Sequence, residues 1–167
     1  MRLVEQTKQK DDPDPTALAC YGMLLRWVPP NGLMDEKMLL RFVEGQPVSD
    51  MTIQFLEWVC QELEQRGHSV LAMIWDNASW HISKAVRTWL RQHNRAVKHT
   101  GKGVRILACL LPVKSPWLNP IEPKWVHAKR RIAEPNATLS KQALADRICA
   151  TFACEHLAHL SIPEHVP

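Results

Sequence analysis

Residues Val70–His81 read VLAMIWDNASWH. Six apolar, largely β-compatible residues, Val70 to Trp75, run straight into a polar pair, Asp76-Asn77. An apolar run without alternation predicts a buried parallel strand with helices over both faces. In open α/β sheets, ligands gather just beyond the carboxyl ends of such strands. Asp76 stands at that place. Asn77, Ser79 and Ser83 can cap the amphipathic stretch Lys84 to His93, which gives strand, acidic turn, helix. Asp76 has two readings here, a helix cap or a ligand-binding acid, and both stay open on this stretch alone.

Downstream, Val104 to Leu111 (VRILACLL) predicts a second buried strand, stopped by Pro112, and Asn94 to Gly103 a basic loop between helix and strand. Upstream, Ser49 opens a predicted helix to about Arg66, closed by Gly67, with Ile53, Leu56, Val59, Cys60 and Leu63 at helical spacing. Before it, Ala17 to Val28 and Met38 to Val43 predict strands, separated by the turn Pro29-Pro30-Asn31-Gly32; Gly45-Gln46-Pro47 turns the second. Strands this close, joined by turns, are expected to pair antiparallel. Arg2 to Gln6 reads as the tail of a strand, and Lys8 to Pro15 (KQKDDPDP) as a loop, with Asp11, Asp12 and Asp14 solvated. After Pro112, the segment SPWLNPIEPKWVHAKRRI starts extended at its prolines and turns helical from about Glu122 to Ile132. Ser140 to Phe152 predicts a last helix with Leu144, Ile148 and Phe152 inward. The pattern is a mixed α/β layer fold.

The 167 residues are 46% hydrophobic, enough for a core without disulfide staples. Cys20, Cys60, Cys109, Cys149 and Cys154 are odd in number, and no CxxC pair occurs. That argues against a disulfide framework or zinc ribbon and for core thiols in a reducing cytoplasm. The nearest thing to a metal cluster, Cys154-Glu155-His156 with His159, is a weak signal. No stretch has membrane-spanning length, and the N-terminus lacks an apolar signal core, so a cytoplasmic chain is expected.

The net charge of +4 is unevenly spread. Ser83 to Arg131 holds 12 bases and one acid, Glu122, a balance of +11, while the rest carries −7. Separation of this kind points to a polyanion-binding face. Lys84, Arg87, Arg91, Lys98, Lys102, Lys114, Lys124, Lys129, Arg130 and Arg131 are the candidate DNA contacts. The bland alternative is a pair of helices with basic, solvated outer faces.

Asp76 and Glu122 are candidates for a shared task. Strands joined by a crossover helix bring the ends of both to one edge of a sheet. Carboxylates gathered there beside a basic channel suit Mg²⁺ or Mn²⁺ against a phosphodiester. Glu122 has a competing reading, since Asn119-Pro120-Ile121-Glu122 fits a capping box. A helix that starts nearer Glu122 avoids the hydrogen bond that Pro123 would otherwise remove. His81 either orients a phosphate or ligand carboxylate, or is simply packed and hydrogen-bonded. Trp75, Trp80, Trp89, Trp117 and Trp125 accompany the basic segment and could stack on bases, though core packing suits Trp89 and Trp125 better.

WDNASWH and LPVKSPWLNPIEPKWVHAKRRI resemble the second and third acidic signatures of IS630-type transposases, in the IS630/Tc1/mariner group of DDE enzymes. The resemblance covers Arg2 to about Ile162. It implies a ribonuclease-H-like mixed sheet with flanking helices and a catalytic domain over residues 1–162, with 163–167 as a tail. It implies Asp76 and Glu122 as catalytic, metal-binding acids, with Asn77, His81, Pro116, Asn119 and Trp125 shaping the site. Mg²⁺ or Mn²⁺ would be the cofactor, and double-stranded DNA (transposon ends and target) the partner. The separation of 46 residues between the acids exceeds what is usual in the wider group. The family's first catalytic aspartate lies on a strand upstream of the part matching Arg2 to Gln6. The expectation is therefore a truncated domain without its first strand, with weak metal binding and little strand cleavage. A homodimer, or an N-terminal fragment supplied in trans, would fit it. The alternative is a residual DNA-binding or dimerising module without catalysis.

Overall fold

The computed structural model describes residues 2–3, 18–29, 31–44, 48–132 and 139–161. The expected loop Lys8 to Pro15, and the turn at Gly45 to Pro47, lie outside them. The chain divides into two compact units, residues 1–46 with 120–160, and 47–119 with 161–167.

The first unit is built on an antiparallel sheet, β1 (Arg2–Leu3), β2 (Leu18–Trp27) and β3 (Asp35–Glu44), in that order. β2 and β3 pair along their full length, from Leu18 opposite Glu44 to Trp27 opposite Asp35. The expected hairpin turn joins them: the Gly32 N–H donates to the Pro29 carbonyl at 2.9 Å, with Gly32 at φ +77°, a conformation glycine adopts without strain. Helices α3 (Glu122–Ile132) and α4 (Lys141–Phe152) pack on each other, and α4 also meets β3. Ile121, Trp125, Ala128 and Ile132 recur at helical spacing and bury one stripe of α3 against Leu18, Leu40 and Phe42 of the sheet and Leu144 and Ile148 of α4. Ser140 caps α4, accepting from the Ala143 N–H at 3.2 Å.

Gly22 fixes how closely the helix lies on the sheet. A Cβ there would overlap the Trp125 ring, so only glycine leaves the indole room. The ring also meets Phe152 edge-on at 5.4 Å. Trp125 is thus a core residue that anchors α3.

The second unit runs α1 (Ser49–Gln65), β4 (Val70–Trp75), α2 (Lys84–Thr100), β5 (Arg105–Leu110), then a 3-10 turn at Pro116–Leu118. β4 and β5 are parallel through the α2 crossover, Leu71 opposite Ile106 and Trp75 opposite Leu110. The core gathers Met51, Leu56 and Val59 of α1, Val86 of α2, and Val104 and Ile106.

Four expectations need correction. On the expected buried face of α1, Leu56, Val59, Cys60 and Leu63 are buried, joined by Met51, Thr52 and Phe55, but Ile53 is only half-buried. β4 is not covered on both faces: Leu71, Met73 and Trp75 are buried, while Val70 and Ile74 are each 54% exposed. In β5 only Ile106 is buried. An apolar run fixes strand propensity, but which face is covered depends on what packs against it. Lastly, the expected basic loop Asn94 to Gly103 is mostly helix, since α2 continues to Thr100 and ends at Gly101 in the left-handed conformation. Asn94 is held inside the helix by two tertiary bonds: its amide donates to the Ile106 carbonyl and its oxygen accepts from the Ile106 N–H, both at 2.8 Å. Lys98 and His99 in the last turn further favour helix there.

Candidate functional site

The end of β4 is locked to the end of β5 before any side-chain chemistry begins. The Leu111 N–H donates to the Trp75 carbonyl at 2.9 Å, and the Asn77 amide donates to the Leu111 carbonyl at 2.7 Å. Between these two ties the backbone leaves the strand at Asp76.

The Asp76 carboxylate then closes a small loop. Its Oδ1 accepts from the Ala78 N–H at 3.0 Å, an Asx turn, and lies 2.7 Å from Nδ1 of His81. A carboxylate only accepts, so Nδ1 of His81 carries the proton. The His81 ring stacks on Trp75 at 5.1 Å and meets Trp80 edge-on at 5.9 Å. Beneath it, the Trp75 indole N–H is buried without a hydrogen-bond partner. With the Asp76 side chain 51% exposed and Oδ1 engaged twice, Oδ2 is the oxygen left for a ligand.

The capping reading of Asp76 does not hold. Ser83 caps α2, its hydroxyl accepting from the Val86 N–H at 3.2 Å. Asp76 lies seven residues earlier and is engaged by the turn instead. His81 is packed on Trp75 and hydrogen-bonded to the Asp76 carboxylate.

Glu122 opens α3 in the other unit. The first internal bond runs from the Trp125 N–H to the Ile121 carbonyl at 3.1 Å, so the helix starts at Glu122 with Pro123 in its first turn, where a missing N–H costs nothing. With the helix starting at Glu122, Asn119 lies outside it and ends the 3-10 turn, its N–H donating to the Pro116 carbonyl at 2.9 Å. Trp125, one turn on, holds the helix that carries Glu122.

Lys84, Arg87, Arg91 and Lys98 recur at three-, four- and seven-residue steps along α2, and all are exposed. Lys102 and Lys114 are exposed in the same unit. In the first unit, Lys129, Arg130 and Arg131 are exposed on the last turn of α3. Lys124 bonds to Glu36, which also takes Arg26 at 2.9 Å. These two cations, Lys124 foremost, hold the Glu36 carboxyl below the usual range. Of the tryptophans, Trp117 is 75% exposed; Trp89 donates to Glu57 at 3.0 Å and is only half-buried.

Three residues escaped the sequence reading. Asn94 gave no signal, since its partners are backbone groups of another element. Gly22 did give one: an isolated glycine inside a strand marks a close approach. The Ala78 N–H is set by the turn, which the acidic cluster only hinted at.

Residues 31–145 match the family of the DDE superfamily endonuclease, more than half of the chain and inclusive of Asp76 and Glu122. The chain belongs to the DDE superfamily endonuclease family. No curated protein and no solved structure matched it. The family works with divalent metal ions as a rule. Among the described residues, however, no group of three or more His, Cys, Asp or Glu side chains could hold one. The described residues thus do not by themselves fit the family's metal pair. No helix among them is long and apolar enough to cross a membrane.

Proposed function

We propose that this chain is the catalytic region of an IS630-type DNA transposase, with a ribonuclease-H-like ancestry, in which Asp76 and Glu122 are two of the acids of the site. The observation that carries the reading is the Asp76 carboxylate at the end of β4, held on one oxygen by His81 and the Ala78 N–H. The side chain is 51% exposed, so its second oxygen stays open to solvent. One left open beside a fixed one suits a ligand.

Double-stranded DNA is the proposed partner, bound electrostatically through the stripe Lys84, Arg87, Arg91 and Lys98, with Lys102, Lys114, Lys129, Arg130 and Arg131 contributing. The proposed location is the cytoplasm. Strand cleavage by this chain alone is expected to be weak, because the described residues supply no complete metal-binding group. Mg²⁺ or Mn²⁺ would accordingly bind weakly. The same observation favours the second reading, a module that binds DNA or dimerises without catalysis.

The two readings separate in a nicking assay on end-labelled duplex DNA with Mg²⁺ or Mn²⁺. The catalytic reading expects residual metal-dependent nicking that Asp76→Asn or Glu122→Gln each abolishes. Nicking that survives both substitutions would sink it. DNA binding measured by anisotropy is expected to survive both substitutions and to fall with salt. Replacing Arg87, Arg91 and Lys98 by alanine should flatten the log K against log salt slope by about 2.7, at about 0.9 for each phosphate no longer neutralised.

A further inference from the structure

We propose that His156 and His159 form a binding site for a borderline transition-metal cation of the Zn²⁺ class, separate from the acids above. Both lie outside the stretch that matches the family. Their Nε2 atoms are 3.2 Å apart. Two nitrogens bound to one tetrahedral zinc at about 2.0–2.1 Å stand about 3.3 Å apart, so the pair is already at the separation of a coordination edge.

The surroundings hold the rings in place. Asp146 Oδ1 lies 2.6 Å from Nδ1 of His156. Since the carboxylate only accepts, Nδ1 carries the proton and Nε2 is left with its lone pair. A carboxylate behind a ligand histidine is the usual outer-shell partner, fixing tautomer and ring direction. The Gln142 amide donates to both oxygens of Asp146, at 3.2 and 3.4 Å, and so steadies the carboxylate behind His156. Phe42, 1% exposed, meets His156 at 5.3 Å and His159 at 5.8 Å, so a buried ring braces both imidazoles.

The backbone bearing them is pinned as well. The Arg41 guanidinium donates twice to the Ala158 carbonyl, at 3.2 and 2.9 Å, and the Leu160 N–H donates to the Phe42 carbonyl at 2.8 Å. Without metal, one Nε2 must donate to the other; a cation would take the place of that shared proton. Imidazole nitrogen selects Zn²⁺, Ni²⁺ or Cu²⁺ over Mg²⁺. The weakly signalled cluster of Cys154, Glu155, His156 and His159 is not assembled as a group of three or more ligands among the described residues; the Cys149 thiol donates to the Glu155 carbonyl at 3.7 Å. Among the described residues the site has these two protein ligands, and water would fill the remaining positions.

The test is titration of the full chain with Zn²⁺ in excess Mg²⁺, followed by calorimetry and by long-range ¹H–¹⁵N correlation of the imidazoles. The proposal expects both Nε2 signals to move together at one equivalent. His156→Ala and His159→Ala should each weaken binding at least tenfold, and Asp146→Asn about 10–100-fold. Should a variant fail to fold, the imidazole signals of the unaltered chain decide. Unmoved Nε2 signals overturn the proposal. So does binding that persists in the double variant, or a Co²⁺ complex with thiolate charge-transfer absorption, which would place the ion on cysteine.

Discussion

Nδ1 of His81 lies 2.7 Å from Oδ1 of Asp76, five residues away across a turn. That contact turns an exposed acid at a strand end into an oriented one. It also explains why the polar cluster after Trp75 is so short: Asp76, Ala78 and His81 are all consumed in one loop, and Ser83 is left to start the helix.

Replacing His81 by alanine should therefore change orientation more than stability. Asp76 is half exposed, and pairs of that kind contribute about 0–1 kcal/mol. Urea unfolding should show a midpoint close to the unaltered chain, while side-chain couplings of Asp76 should average over rotamers. A large drop in stability would mean that the Trp75 stack, not the hydrogen bond, is the main role of the ring.

Gly22→Ala should destabilise the first unit by about 1–3 kcal/mol, the range for overpacking. The added methyl overlaps the Trp125 ring. Pairing it with Trp125→Leu should recover part of that stability in thermal unfolding. Effects that simply add would show that the two sites do not touch.

Asn94→Ala should cost about 1–3 kcal/mol, because the N–H and carbonyl of Ile106 are both left without their partner. Hydrogen exchange at the Ile106 amide should speed up with it, and α2 should fray back toward Asn94. An unchanged exchange rate would mean that another group or water takes over.

Burial pushes the thiols of Cys20 and Cys149 from 9.0 up to about 12, and that of Cys60 to about 11. In the unfolded chain they ionise near 9, so above that pH the unfolded state holds fewer protons than the folded one. Stability should be full below about pH 9 and fall as pH rises toward 12. The urea midpoint at pH 8 and pH 10 measures it, and serine at the three positions should flatten the dependence. Exposed Cys109 should react first with a thiol reagent in the folded chain.

Elements whose signals are local were legible without any structure. The strand Val70–Trp75 agrees to the residue, Ser83 and Ser140 cap the helices they precede, and Gly32 and Gly67 adopt the positive φ that turns there require. The acid at the end of β4 follows from the same local logic, because a chain that switches abruptly from apolar to polar must leave the sheet there.

What only the tertiary structure decided are the matters that depend on a distant partner. Asn94 reads as a loop residue until Ile106 supplies its hydrogen bonds. The face of β4 that stays exposed depends on what packs against it, not on its six apolar residues. His156 and His159 come together because Arg41, Phe42 and Asp146, remote in sequence or on another element, fix where their segment runs. Propensity and capping act over a few residues; hydrogen bonds and ring contacts between elements act across the chain, and no local pattern records them.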